Sequence, residues 1–248
     1  MNNPEKSRSV QEMFQQIAPH YNLMNTLMTG GQDAGWRRKV IRKAEISKSS
    51  LVLDLGAGTG DLAKEAISQV AGCRVIAADF TYKMMQTGRK RMQPGFAGIT
   101  WLAADAQLLP FPDALFDASV SGFLLRNVTD VLQCLEEQFR VLKPGGRVVA
   151  LDTTPPQRNP LTPMIEFYLN TVLPALGGWV AGNRKAYQYL STSTVNFLEP
   201  EKMADLLAAA GFERVGFQRL MFGMIGIYWG FNPKSPNTPP RLADDKHR

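Results

Sequence analysis

The sequence predicts an α/β fold built on a mostly parallel sheet, and three observations carry that prediction. Five short apolar runs alternate with helical patterns. The first run ends in a cluster of glycines that opens a helix. The length, 248 residues, suits one domain of this kind. Strand–helix alternation implies parallel strands joined by right-handed crossovers.

The elements follow in order. Residues 1–48 precede the first strand, hold at least two helical segments, and are placed to lie over the sheet's carboxyl edge as a helical lid. Leu51–Leu55, Arg74–Asp79, Ile99–Ala103, Leu115–Ser121 and Arg147–Asp152 are short and apolar, as strands covered on both faces are. Asp61–Ala71 and Tyr82–Met92 read as helices. Thr129–Leu142 places Val131, Leu132, Leu135, Phe139 and Leu142 on one stripe and is expected to stop at Lys143-Pro-Gly-Gly146. Thr153–Asn159 reads as a loop, Leu161–Val180 as one apolar helix, and Pro200–Ala210 as a helix with proline in its first turn. Val215–Leu220 and Met224–Trp229 read as two strands around Gly223. The division is therefore a lid over 1–48, a body over 49–231, and a disordered proline-rich tail over 232–248.

Composition removes several classes of function. The 44% apolar content supports a core. Two cysteines, Cys73 and Cys134, make no disulfide scaffold, and no Cys/His cluster suggests a metal. No signal peptide and no membrane span are legible, so a cytoplasmic chain is expected. The net charge of +6 first suggests nucleic acid. However, residues 1–48 carry eight basic and four acidic side chains, residues 233–248 carry four and two, and the body holds sixteen of each. Without a basic stripe through the body, nucleic acid is not an expected partner.

The strongest motif is Asp54-Leu-Gly56-Ala-Gly58-Thr59-Gly60-Asp61, a strand-to-helix turn in which glycines let a ligand approach the backbone. A dinucleotide fingerprint starting at Gly56 requires glycine at 61, where Asp61 stands. A carboxylate there repels pyrophosphate and suits a ligand with a cationic centre, such as S-adenosyl-L-methionine. Asp79 ends the second strand 19 residues after Gly60, near the spacing of about 20 at which an acid reaches a ribose. Asp105 follows the third strand, where its carboxylate can accept from an adenine amino group.

Together these pieces resemble the class I, Rossmann-like S-adenosylmethionine-dependent methyltransferases. More closely, Met13–Asn25, Gly31-Gln-Asp33, Trp36-Arg-Arg38, Leu109–Asp113, Phe116-Asp117, Leu125–Asp130, Arg140–Gly146 and Tyr187–Leu190 are similar to the ubiquinone/menaquinone biosynthesis C-methyltransferases, the demethylmenaquinone type included. The resemblance spans about residues 13–231. It implies a seven-stranded sheet with an antiparallel last strand, and methyl transfer to a ring carbon of a reduced, prenylated quinone. The cofactor contacts it implies fall on Gly56, Thr59, Asp79, Asp105 and Ala106; Asp54, Gly58, Gly60, Phe80 and Gly122 complete the expected set. The lipid-soluble quinol, a peripheral membrane contact and a homodimer are the expected partners. Asn22, Gly122, Asp152-Thr153 and Tyr228 depart from the family's Asp, Ser, Glu-Phe and His, and are expected around the acceptor pocket.

Such chemistry needs a cation or base near a quinol hydroxyl. Arg126 is the first candidate to stabilise a phenolate, against a salt-bridged surface arginine. Asn127 is a candidate to bond the ring oxygen, against a cap for the following helix. Tyr21 is a candidate donor, against an interface aromatic. His20 is a candidate base, against an exposed loop histidine. Asp33 and Asp152 are further base candidates. Two other readings stay open: the same scaffold acting on another aromatic or lipid-like molecule, and a silent cofactor-binding partner in a biosynthetic complex.

Overall fold

The computed structural model of the chain describes residues 4–92, 96–155 and 162–233. The expected tail lies outside them apart from Asn232 and Pro233, as do positions 156–159 of the expected loop and position 161 of the expected helix. Helices α1 (Pro4–Ile17), α2 (Tyr21–Thr29) and α3 (Asp33–Ala44) lead into β1 (Leu51–Leu55). There follow α4 (Asp61–Gln69), β2 (Arg74–Asp79), α5 (Tyr82–Met92), β3 (Ile99–Ala103), β4 (Phe116–Gly122), α6 (Val131–Val141) and β5 (Leu142–Thr153). The remainder is α7 (Thr162–Phe167), α8 (Leu173–Ala181), α9 (Arg184–Val195), α10 (Pro200–Ala209), β6 (Glu213–Leu220) and β7 (Ile225–Phe231).

The strands form one seven-stranded sheet in the order β3-β2-β1-β4-β5-β7-β6. β1 to β5 are parallel, and β7 runs antiparallel between β5 and β6. Alternation along the strands sends Val52, Ala118, Val149 and Ile227 to one face, against Trp36, Val40 and Ile41 of α3 and Leu62 and Ala63 of α4. The opposite face packs Leu53, Leu55, Ala150 and Tyr228 against Leu135 of α6 and Met203 and Leu207 of α10. A third apolar cluster stands at the carboxyl edge. There Ile17, Tyr21 and Met24 of the first two helices meet Leu173, Ala186, Tyr187, Leu190 and Met224.

Local chemistry sets several boundaries. Asp130 accepts from the Gln133 N–H and caps α6, so the helix starts at Val131 rather than Thr129. Asn183 caps α9 in the same way. Lys143–Gly146 lies inside β5, which begins at Leu142 with a register shift against β4. The expected helix over 161–180 is interrupted: Tyr168–Val172 widens into a π turn between α7 and α8, and α8 ends at left-handed Gly182. The sequence reading did not identify α9. The first 48 residues do not act as one layer either, because α3 is a sheet-covering helix and only α1 and α2 join the cluster at the carboxyl edge.

Candidate functional site

The glycine loop links β1 to α4 with Gly56, Gly58 and Gly60 all at positive φ (66°, 56° and 77°). A Cβ at Gly60 would stand 2.5 Å from Trp101, and one at Gly56 2.7 Å from Leu124, so the protein's own packing holds these positions to glycine. The loop is tied to β2, because Asp79 accepts from the Gly58 N–H (2.7 Å) and the Thr81 N–H (2.6 Å). Burial pushes the Asp79 carboxyl up, with those bonds opposing.

Asp54 is fully buried. Its Oδ2 accepts from the Ala63 N–H at 2.9 Å, while Oδ1 has no partner among the described residues. Burial pushes this carboxyl up to about 7, with Asp61 and Asp79 adding to the rise. A small cavity beside it is lined by Tyr21, Arg37, Asp54, Gly56, Ala57, Gly58, Thr59, Asp61, Leu62, Gly122, Phe123 and Leu151. An orphaned, buried carboxylate oxygen in a glycine cradle fits a ligand that carries an ammonium group.

Asp61 opens α4. Burial works against its ionised form, but Arg37 and Arg91 hold its carboxyl below the usual range. Asn22 of α2 completes this cluster. Its amide donates to both Asp61 oxygens at 3.0 Å, and its carbonyl accepts from the Thr59 hydroxyl at 2.7 Å. The departure at position 22 thus fastens α2 to the glycine loop through a donor that an aspartate lacks. From α1, Gln11 donates to the Phe80 carbonyl at 2.7 Å, so both leading helices lean over the loop.

Beyond β3, Asp105 is exposed and accepts from the Gln107 N–H at 2.9 Å, whereas Ala106 is buried in the core. The Gln107 side-chain amide oxygen Oε1 accepts from the Thr129 N–H and hydroxyl, joining this turn to the segment after β4. The family-like segments Leu109–Asp113 and Arg140–Gly146 explain one another. Arg140 donates to the carbonyls of Leu109 and Phe111 and to Asp113 and Glu137, and these bonds pin the turn into β4.

A second cavity of about 80 Å³ adjoins the first and shares Tyr21 and Phe123 with it. Its walls are mainly apolar, among them Met28, Trp36, Tyr168, Leu173, Leu190 and Met224, with Arg126 as their charged member. Phe123, between the two cavities, has φ 59°, an uncommon conformation for a bulky residue, held by its N–H bond to the Leu151 carbonyl. Arg126 is 7% exposed, lies over the Phe123 ring at 4.9 Å, and pairs with fully buried Asp152 at 2.5 Å. It is salt-bridged, but inside the protein rather than on its surface. Burial pushes the Tyr21 hydroxyl up, with a bond to Asn25 opposing.

Other expected residues lie elsewhere. His20 is exposed and lines neither cavity. Asn127 lines neither; it donates to the Phe123 carbonyl and accepts from the Tyr189 hydroxyl, fixing the turn that carries Arg126, and the helix cap is Asp130. Asp33 is occupied by Arg37 and Thr29. The departures do not ring the acceptor cavity as expected. Asn22 and Gly122 stand at the cofactor side, Asp152 behind Arg126, and Tyr228 within the core. Of that group only Thr153 lines the apolar cavity. Tyr168 lines the apolar cavity from the apolar run Leu161–Val180, whereas Gln11 carries no signal in the sequence and the backbone strain at Phe123 is not legible in it.

A doubly wound sheet whose first strand delivers a glycine loop and whose second ends in an acid, with an ammonium-fitting pocket between them, defines an S-adenosylmethionine-dependent methyltransferase. The comparisons agree and narrow the class. Residues 2–232 match the ubiE/COQ5 methyltransferase family, and the chain belongs to that family. It is 45% identical over 225 residues to the ubiquinone/menaquinone biosynthesis C-methyltransferase UbiE of Desulfotalea psychrophila, covering 91% of each chain. It is 40% identical to the demethylmenaquinone methyltransferase of Thermus thermophilus, covering 89% of this chain and all of that one. Among solved structures, a SAM-dependent methyltransferase from Thermotoga maritima shares the fold with a TM-score of 0.61 at 17% identity, covering 90% of this chain and 99% of that one.

Proposed function

We propose that this chain methylates a ring carbon of a reduced, prenylated quinone, with demethylmenaquinol as the acceptor. The observation that carries the reading is the buried Arg126–Asp152 pair, whose arginine lines an apolar cavity that shares Tyr21 and Phe123 with the glycine-loop pocket. Relatives named for quinone methylation support this acceptor over an unrelated aromatic molecule, and over a silent partner.

Bound S-adenosylmethionine supplies an electrophilic methyl group. Asp54 would hold its ammonium, the backbone of Gly56–Gly60 with Thr59 would lie along it, Asp79 and Phe80 would serve the ribose end, Asp105 and Ala106 the adenine, and Gly122 the methionine side. Arg126 stabilises the quinol's phenolate and orients a water that takes the ring proton, since a guanidinium is itself always charged. Asp152 sets the guanidinium's direction from behind, and Tyr21 donates to the acceptor from the junction of the cavities. Holding ring carbon and methyl in line contributes about 7–11 kcal/mol of the rate enhancement. Purified protein incubated with labelled cofactor and a panel of quinols tests this. Label is expected in the prenylated quinol; label in none refutes it.

Such an acceptor comes from a bilayer. Among the described residues no helix is long and apolar enough to cross a membrane. Leu23 of α2 is nevertheless exposed, and Trp179 of α8 is 86% exposed. These support peripheral contact with a lipid surface, aided by basic Arg38 and Lys39 on the neighbouring helix. The full chain is expected to float with anionic liposomes, and the Leu23→Ser/Trp179→Ser protein to float less. Equal flotation of the two proteins defeats this surface.

A further inference from the structure

We infer that the acceptor's prenyl chain leaves the apolar cavity through the seam between the last turn of α2 and the π turn Tyr168–Val172, running out over Leu27 and Phe167. The inference rests on the quinol reading above.

The cavity's size comes first. At about 80 Å³ it is smaller than the roughly 150 Å³ that holds a single benzene. A wall must therefore give way before a quinol ring seats fully inside the cavity. Three walls belong to the packed body. Thr153 and Ile225 sit on paired strands β5 and β7. Trp36 belongs to the core beneath α3. Leu190 belongs to α9, which the Asn183 cap and the Tyr187 packing hold against the rest of the cluster. The wall made by α2 and the π turn differs: Tyr168 reaches across it and donates its hydroxyl to the Met28 carbonyl at 2.9 Å. A carbonyl in a helix's last turn lacks an intrahelical partner, so this bond exchanges for water without unwinding α2.

The residues on either side of the seam show where it leads. Tyr21, Asn25 and Met28 of α2 face the cavity at helical spacing. On its outer side Leu23 and Leu27, one turn apart, are 53% and 47% exposed. A helix that meets water turns polar residues outward; α2 instead exposes two leucines beside Thr26. The opposite lip repeats the pattern: Tyr168 lines the cavity, while Phe167 before it is 60% exposed and Met164 lies exposed one turn earlier. Each lip thus carries apolar side chains on its cavity side and on its outer side, as a hydrocarbon chain requires. A π turn at the lip places Tyr168 and Val172 in a widened segment, a feature that recurs at functional sites.

The test compares two acceptors, a quinol with a long prenyl chain in vesicles and a tail-less soluble quinol, on the wild type and on the Leu27→Asp/Phe167→Asp protein. Both side chains are exposed, so the fold should tolerate the change, and an unaltered melting midpoint checks that; should it not fold, Leu27→Ser/Phe167→Ser is read the same way. Expected is at least a tenfold fall in kcat/KM for the long-chain quinol, carried by KM, with the tail-less quinol within twofold of wild type. Equal losses on both quinols, or loss on neither, overturn the exit route. Wild-type protein that methylates neither refutes the quinol reading itself, and the route with it. Light scattering covers the other occupant: a wild-type dimer that the substitutions split, with long-chain turnover unchanged, assigns this surface to a second copy and overturns the route.

Discussion

Replacing Asp54 by asparagine isolates the electrostatic strain in the cofactor pocket. Its carboxyl titrates near 7 in the folded protein against an ordinary 3.8, chiefly because burial disfavours the charged form. Below about pH 4 the group is protonated in both folded and unfolded chains and contributes no pH dependence. Between about pH 4 and 7 the unfolded chain releases the proton and the folded chain keeps it, so stability falls as pH rises, by about 1.4 kcal/mol per unit. Above about 7 the loss levels off. Three units give a total of about 4 kcal/mol, or on the order of 10 °C in melting midpoint for a chain of this size. Asp61, held down by its arginines, changes stability in the opposite sense, so the informative quantity is the difference between wild type and Asp54→Asn. Thermal unfolding of the empty proteins from pH 4 to 8 should show that difference opening in favour of the variant as pH rises. Saturating cofactor should close the slope in the wild type, because an ammonium beside Oδ1 favours the carboxylate. Binding at pH 7 should then release about half a proton, read calorimetrically from buffers of different ionisation heat. Parallel pH profiles for the two proteins, or no proton release, would refute the account of Asp54.

Three further outcomes follow from the same geometry. Asp152→Asn leaves the Arg126 charge buried without its counter-charge; a stability loss of about 3–5 kcal/mol by denaturant unfolding is expected, with a fall in kcat larger than any change in cofactor KM. Asn22→Asp removes the donor to Asp61 and sets two carboxylates together; it should cost about 1–3 kcal/mol and weaken cofactor binding by calorimetry, whereas unchanged binding argues against the α2 fastening. Gly226→Ala places a Cβ 2.5 Å from the Tyr228 hydroxyl and should destabilise by about 1–3 kcal/mol in urea, and an unaltered midpoint would show that the Tyr228 ring yields freely.

The body of the fold was legible because its signals are local. Short apolar runs, the glycine turn and Pro200 each act within a few residues of themselves, and the five parallel strands, the cofactor loop and α10 stand within a few residues of where the pattern put them. The helices at the carboxyl edge were less legible. Apolar residues over 161–180 fit a single helix, and the π turn that divides it depends on what Tyr168 meets across the cavity. Its place ahead of the first strand joined α3 to the leading segment, whereas Trp36, Val40 and Ile41 commit it to the sheet.

The sequence by itself determined the alternation of strands and helices, the cofactor's glycine cradle and the membership of a methyltransferase family, since all three are written in contiguous spacing. Only the tertiary structure decided which polar residues meet. Folding buries Asp152 behind Arg126, turns His20 to the surface, spends Asn127 on the turn, and closes Tyr168 onto Met28. Those pairings join residues up to 140 positions apart. Their strength comes from desolvation at the carboxyl edge, where several elements must arrive together before any one charge is buried.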